Sequence, residues 1–104
     1  MDIAAVKEVI DQEVHQNKVV LYMKGNQYAP QCGFSAQVVQ VLNSLGVAYE
    51  TRDVLANEAL RQAIKEYSDW PTIPQLYING EFIGGCDIVN ELYQNGELKT
   101  LLEK

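Results

Sequence analysis

The chain begins with apolar residues at helical spacing. Ile3, Val6, Val9, Ile10 and Val14 alternate with Lys7, Glu8, Asp11, Gln12 and Glu13, which predicts an amphipathic helix over residues 3–16. The run Val19-Val20-Leu21-Tyr22-Met23 has no polar break and is bounded by Lys18 and Lys24-Gly25, as in a central strand covered on both faces. Residues 24–31 carry Gly, Asn and Pro and read as a loop. A second helix is predicted from near Cys32-Gly33-Phe34-Ser35 through Val38, Val39, Val41, Leu42 and Leu45, ending at Gly46. Val47 to Val54 alternates weakly as a strand, and Asn57 to Tyr67 follows as a helix with Leu60, Ile64 and Tyr67 on one face. Trp70-Pro71-Thr72-Ile73-Pro74 breaks that helix. Gln75-Leu76-Tyr77-Ile78, Asn79-Gly80 and Glu81-Phe82-Ile83 form a hairpin signature, because Asn-Gly accepts the positive φ angles of a type I′ turn. Gly84-Gly85 closes the sheet, and Asp87 to Leu102 is helical with a break at Asn95-Gly96.

The order α, then β-α-β, then α, then a β-hairpin, then α predicts an α/β protein with a four-stranded mixed sheet flanked by helices, the thioredoxin-like arrangement. With 104 residues, 47% of them hydrophobic, the chain is expected to form one domain over residues 1–104 with its own core. Its 8 basic and 14 acidic residues give a net charge of −6, so it lacks the basic footprint that draws a protein onto nucleic acid or anionic lipid. No apolar run approaches the ~20 residues that cross a bilayer. Asp2 and an interrupted apolar pattern give the N-terminus none of the marks of a secretory signal, so the expected location is cytoplasmic, or organellar if a transit peptide has been removed. Two cysteines in a chain of this size point to reduced thiols and not to a disulfide framework.

Cys32 follows a Gly/Pro loop and opens a helix directly after the buried strand. Unpaired N–H groups and the helix dipole favour anionic sulfur there, which makes Cys32 a candidate nucleophile; the plainer alternative is a small buried hydrophobe. The position three residues on is Ser35, so Cys32 has no local thiol partner. Cys86 lies in Gly84-Gly85-Cys86-Asp87, at a strand-to-helix junction where glycines allow backbone to approach a ligand, successive amides can hold a carboxylate, and Asp87 can cap the helix or take an ammonium group. A turn with a buried cysteine and a capping Asp explains the same residues. Ile73-Pro74 precedes a strand, and a cis bond there would turn the N–H and C=O of Ile73 outward to pair with an extended peptide. Lys24 follows the central strand on the edge where open α/β sheets collect ligands. Arg61 is the other isolated cation, with a helix-face pair to Glu58 as its ordinary explanation. His15 is expected to be solvated.

Lys24-Gly25, Pro30-Gln31-Cys32-Gly33-Phe34-Ser35, Trp70-Pro71-Thr72-Ile73-Pro74-Gln75 and Gly84-Gly85-Cys86-Asp87, in this order and spacing, resemble the monothiol glutaredoxins of the CGFS type. The resemblance covers nearly the whole chain. It implies a glutaredoxin domain that binds glutathione and, as a homodimer, holds a 2Fe-2S cluster for iron-sulfur cluster transfer and iron homeostasis. It further implies that Cys32 ligates iron, that Lys24 and Arg61 bind a glutathione carboxylate, that Ile73 pairs with the peptide backbone, and that Cys86 and Asp87 hold the γ-glutamyl end. Iron-sulfur acceptor proteins and a heterodimer with BolA-type proteins are implied partners. The chain departs from the family at Gly25-Asn26-Gln27, where a small hydroxyl residue and a proline are common.

The residues agree with this resemblance in two ways. Glutathione has two carboxylates and one ammonium group, complementary to two cations, a nest of amides and one Asp. A 2Fe-2S centre takes about four thiolates, whereas this chain has two distant cysteines. Two copies of Cys32 plus two glutathione thiolates complete the set and leave Cys86 free of iron. A second function is glutathione-dependent thiol-disulfide exchange with Cys32 as nucleophile, expected to be slow given Ser35 and the extended loop after Lys24. A third is redox sensing through a Cys32–Cys86 disulfide, which needs Cα atoms within about 7 Å.

Overall fold

The computed structural model describes residues 2–104. Helix α1 (Ile3–Gln16) starts at Asp2, whose carboxylate accepts the Ala4 N–H at 3.1 Å and satisfies one open donor of the first turn. Its buried stripe is Val6, Ile10 and Val14. Val9, expected on the same face, is 52% exposed, because it lies about 100° around the helix from the centre of that stripe.

Strand β1 (Val19–Met23) is buried at every position. Successive side chains point to opposite faces, so Val19, Leu21 and Met23 enter one core cluster and Val20 and Tyr22 the other. β1 pairs in parallel with β4 (Glu50–Asp53) and antiparallel with β5 (Gln75–Ile78), which pairs antiparallel with β6 (Glu81–Gly84). The result is the expected four-stranded mixed sheet, in the order β4-β1-β5-β6. Helices α2 (Gly33–Ser44), α4 (Cys86–Gln94) and α5 (Glu97–Glu103) cover the first cluster, while α1 and α3 (Glu58–Ser68) cover the second. No described helix is long and apolar enough to cross a membrane.

Three details differ from the sequence pattern. Within the expected Val47–Val54 strand only Glu50–Asp53 pairs, and Val47 and Tyr49 pack against the first cluster from the connection before it. The loop over 24–31 contains a small hairpin, β2 (Gly25–Asn26) with β3 (Ala29–Pro30). Asn26 closes it, its side-chain oxygen accepting the N–H groups of Tyr28 at 2.8 Å and Ala29 at 3.0 Å. Finally, α4 begins at Cys86, one residue earlier than expected, and is separated from α5 at Asn95-Gly96 as expected. The Asn79-Gly80 turn has φ of 53° and 83°, the type I′ geometry. His15, 59% exposed at its side chain, rests on this turn, and a Cβ at Gly80 would lie 2.7 Å from its ring.

The register decides where the loops emerge. Met23 stands opposite Asp53, Tyr22 opposite Gln75, and Leu76 opposite Gly84. The C-terminal ends of β1, β4 and β6 and the start of β5 therefore share one sheet edge. Lys24, Ile73-Pro74 and Gly85-Cys86-Asp87, remote in sequence, leave the sheet together there.

Candidate functional site

At that edge Cys32 is the N-cap of α2, in extended conformation (φ −152°, ψ 138°) and partly exposed. The sulfur makes no formal capping bond, but it faces N–H groups of the helix start. The Ser35 N–H, then that of Phe34, the Lys24 charge and the Ser35 hydroxyl hold Cys32 below the ordinary thiol range against the opposing effect of partial burial. Ser35 itself is fully buried, and its oxygen accepts the Lys24 backbone N–H at 3.2 Å. The residue standing where a dithiol protein would carry its second sulfur thus ties the end of β1 to the first turn of α2. Asp53 fixes the other side of this junction by accepting the Gly25 N–H at 2.9 Å.

A cleft of about 520 Å³ opens beside Cys32, and Lys24, Arg61, Ile73, Cys86 and Asp87 all line it. The structure brings these candidate site residues together at one cleft. It adds Lys65, and Trp70, from the Trp70–Pro74 motif, stands in the cleft wall. Lys65 lies one turn beyond Arg61 on α3, so two cations at i and i+4 on one helix face were the available signal. Among the described residues Arg61 does not pair with Glu58, and neither Lys24, Arg61 nor Lys65 joins an ion pair. Three of the chain's 8 Lys and Arg residues therefore present uncommitted charge to one cleft, although the chain as a whole carries −6.

The opposite wall is built from the Trp70–Pro74 segment and the start of α4. Ile73 is 8% exposed and its side chain packs into the second core cluster, so what it offers the cleft is backbone. The Ile73–Pro74 peptide is cis. A Cβ on Gly85 would lie 3.3 Å from the Pro74 carbonyl oxygen and 3.8 Å from the Trp70 indole nitrogen, so glycine lets the two segments meet. No side chain caps the start of α4, and Asp87 stands exposed in its first turn. Unpaired N–H groups there suit a carboxylate, and the Asp87 carboxylate suits an ammonium group.

Cys86 has the opposite character to Cys32. Its thiol donates to Gln37 Oε1 at 3.1 Å, and Asn90 Nδ2 donates to the same oxygen at 3.1 Å while approaching the sulfur at 3.5 Å. Burial, with the Asp87 and Cys32 charges, pushes its pKa up. Both cysteines are free. Among the described residues no group of three His, Cys, Asp or Glu side chains is placed to hold a metal ion.

A thioredoxin-like sheet with one activated cysteine at a helix start, beside an anion-accepting cleft, defines a thiol-redox protein. The glutaredoxin family model matches residues 19–83. The chain is 64% identical over 97 residues to an uncharacterized monothiol glutaredoxin of Synechocystis sp., covering 93% of this chain and 91% of that one. The solution structure of reduced apo GrxS14 from poplar is similar with a TM-score of 0.87 at 54% identity, covering 99% of this chain and 95% of that chain. A buckwheat glutaredoxin–glutathione complex is similar with a TM-score of 0.87 at 27% identity, covering 97% and 90%. The chain belongs to the glutaredoxin family and, with Cys32-Gly33-Phe34-Ser35 at its site, to the monothiol glutaredoxins.

Proposed function

We propose that residues 1–104 act as one glutaredoxin domain that binds glutathione in this cleft and carries a 2Fe-2S cluster between two copies for transfer to acceptor proteins. The observation that carries the reading is Cys32, the only sulfur on the cleft held below the ordinary thiol range. Lys24 and Arg61, with Lys65 beside them, take one glutathione carboxylate. The Ile73 backbone pairs with the peptide, and the start of α4 with Asp87 takes the α-carboxylate and ammonium of the γ-glutamyl end. This places the glutathione sulfur near Cys32. The donor set fits the cluster as cargo: two Cys32 thiolates and two glutathione thiolates supply the four ligands that a 2Fe-2S centre takes. Cys86, hydrogen-bonded as a thiol, stays out of the set. A BolA-type protein could replace one subunit together with the two ligands that subunit brings.

Anaerobic reconstitution with iron, sulfide and glutathione should give a coloured dimer with one cluster per two chains, and Cys32→Ser should stay colourless. Cluster retained normally by Cys32→Ser, or held by a lone subunit after glutathione is dialysed away, overturns the reading.

The depressed Cys32 pKa also supports glutathione-dependent exchange. The Cys32 thiolate attacks the glutathione sulfur of a mixed disulfide and releases the substrate thiolate. A second glutathione thiolate then displaces Cys32 and leaves as glutathione disulfide. Rapid turnover of a glutathionylated peptide would make this the main activity.

A further inference from the structure

Apart from the hydroxyls of Tyr22 and Tyr77, the polar side chains that the fold buries fully among the described residues are Ser35 and Gln75. Ser35 belongs to the Cys32 junction described above. Gln75 opens β5 and does not itself line the cleft, yet both donors and the acceptor oxygen of its amide are engaged. Nε2 donates to the Trp70 carbonyl at 3.2 Å and to the Thr72 carbonyl at 3.2 Å, while Oε1 accepts the Tyr77 hydroxyl at 3.0 Å. The orientation is fixed by chemistry: the two carbonyls only accept, so the amide nitrogen must face them. A buried amide is tolerated only when its donors and acceptor are paired, and here both donors are spent on the irregular segment that forms one wall of the cleft. Trp70 and Thr72 both line that cleft.

The rest of the segment is held from the helix side. The Trp70 N–H reaches the Lys65 carbonyl at 3.2 Å and the Ser68 hydroxyl at 3.1 Å. Gln75 is therefore the sheet's hold on this wall. Tyr77 in turn is immobilised, 1% exposed and packed against Tyr22 (centroids 5.7 Å) and Phe82 (5.4 Å). The chain of contact runs from the aromatic core through the Tyr77 hydroxyl and the Gln75 amide to two carbonyls of the cleft.

We propose that Gln75 is a positioning residue: its amide, braced by Tyr77, sets the place of the Trp70–Thr72 wall and with it the site where the Ile73 backbone meets glutathione. This rests on the glutathione reading for its functional half. The positional half stands on its own, because Trp70 is the chain's only tryptophan and reports the wall directly.

The test compares wild type, Gln75→Met and Tyr77→Phe. In ligand-free folded Gln75→Met, Trp70 fluorescence should become more accessible to acrylamide quenching and its anisotropy should fall. The glutathione dissociation constant, from equilibrium titration, should rise about tenfold, the scale of one buried hydrogen bond lost from the bound state. Tyr77→Phe keeps both donor bonds and frees the acceptor side, together with the contact of the same hydroxyl with Ser68, so both effects should appear at about two- to threefold. A folded Gln75→Met with wild-type Trp70 quenching and wild-type glutathione affinity overturns the proposal. Should Gln75→Met fail to fold, unchanged quenching and affinity in Tyr77→Phe overturn it equally. Wild-type protein that binds no glutathione refutes the functional reading above, and the Trp70 measurements still decide the role of Gln75.

Discussion

Cys32 and Cys86 share one cleft and have opposite acid-base character, for reasons that act over a few ångströms. Cys32 faces helix N–H groups and the Lys24 charge, which favour thiolate. Cys86 is buried beside Asp87 and donates its proton to Gln37, which favours thiol. Because the thiolate is the reactive form, a lower pKa means more reactive sulfur at a given pH. Iodoacetamide labelling followed by peptide mass spectrometry should show Cys32 modified first at neutral pH. Its rate should level off below the ordinary thiol range, while labelling of Cys86 should emerge only at higher pH. Labelling of Cys86 ahead of Cys32 would contradict the geometry. The character of Cys32 was legible in the sequence, since its cause is local: a loop, a helix start, and serine at the third position beyond. For Cys86 the sequence offered a buried cysteine beside Asp87 only as one of two readings, and its hydrogen-bond acceptor Gln37, 49 positions away on another helix, gave no local sign. Lys65 escaped notice because a lysine on an amphipathic helix looks like ordinary solvated charge until the fold turns that face toward the cleft.

The elements that were legible are those whose cause is also local. Helix α1 declared itself by spacing, β1 by an unbroken apolar run, and the β5–β6 turn by an Asn-Gly dipeptide between two apolar runs. The β2–β3 hairpin gave no such sign, because its pairing is two residues long and is organised by a side chain bonding to backbone. Asn26 supplies the turn bonds, its side-chain oxygen accepting the Tyr28 and Ala29 N–H groups. Asn26→Ala should therefore loosen the hairpin without unfolding the protein. Hydrogen exchange at the Tyr28 and Ala29 amides should accelerate, and global stability measured in denaturant should fall by no more than about 1 kcal/mol, as the loop is largely exposed. Slow exchange retained at both amides would show that the turn is held by something other than Asn26.

For the molecule as a whole, the sheet edge collects what the sequence scatters, and it does so with charges that the fold leaves uncommitted. Lys24, Arg61 and Lys65 pair with no carboxylate among the described residues, so neutralising one of them removes little that holds the ligand-free fold together. Binding glutathione to the native state alone should raise stability by linkage, about 2.7 kcal/mol at a hundredfold excess over its dissociation constant. For a chain of this size that corresponds to an increase of roughly 10–20 °C in Tm. Arg61→Gln should melt at nearly the wild-type temperature without ligand and lose much of the increase at the same glutathione concentration. The two halves of that result separate the roles. A lowered ligand-free Tm with the full glutathione shift would make Arg61 a structural residue of α3. An unchanged ligand-free Tm with a reduced shift makes it part of the binding surface, where its charge acts only once an anion arrives. Because the cleft is cationic and the rest of the chain is not, the shift should also persist at physiological salt, where the Debye length of about 8 Å screens the distant acidic surface more than contacts inside the cleft.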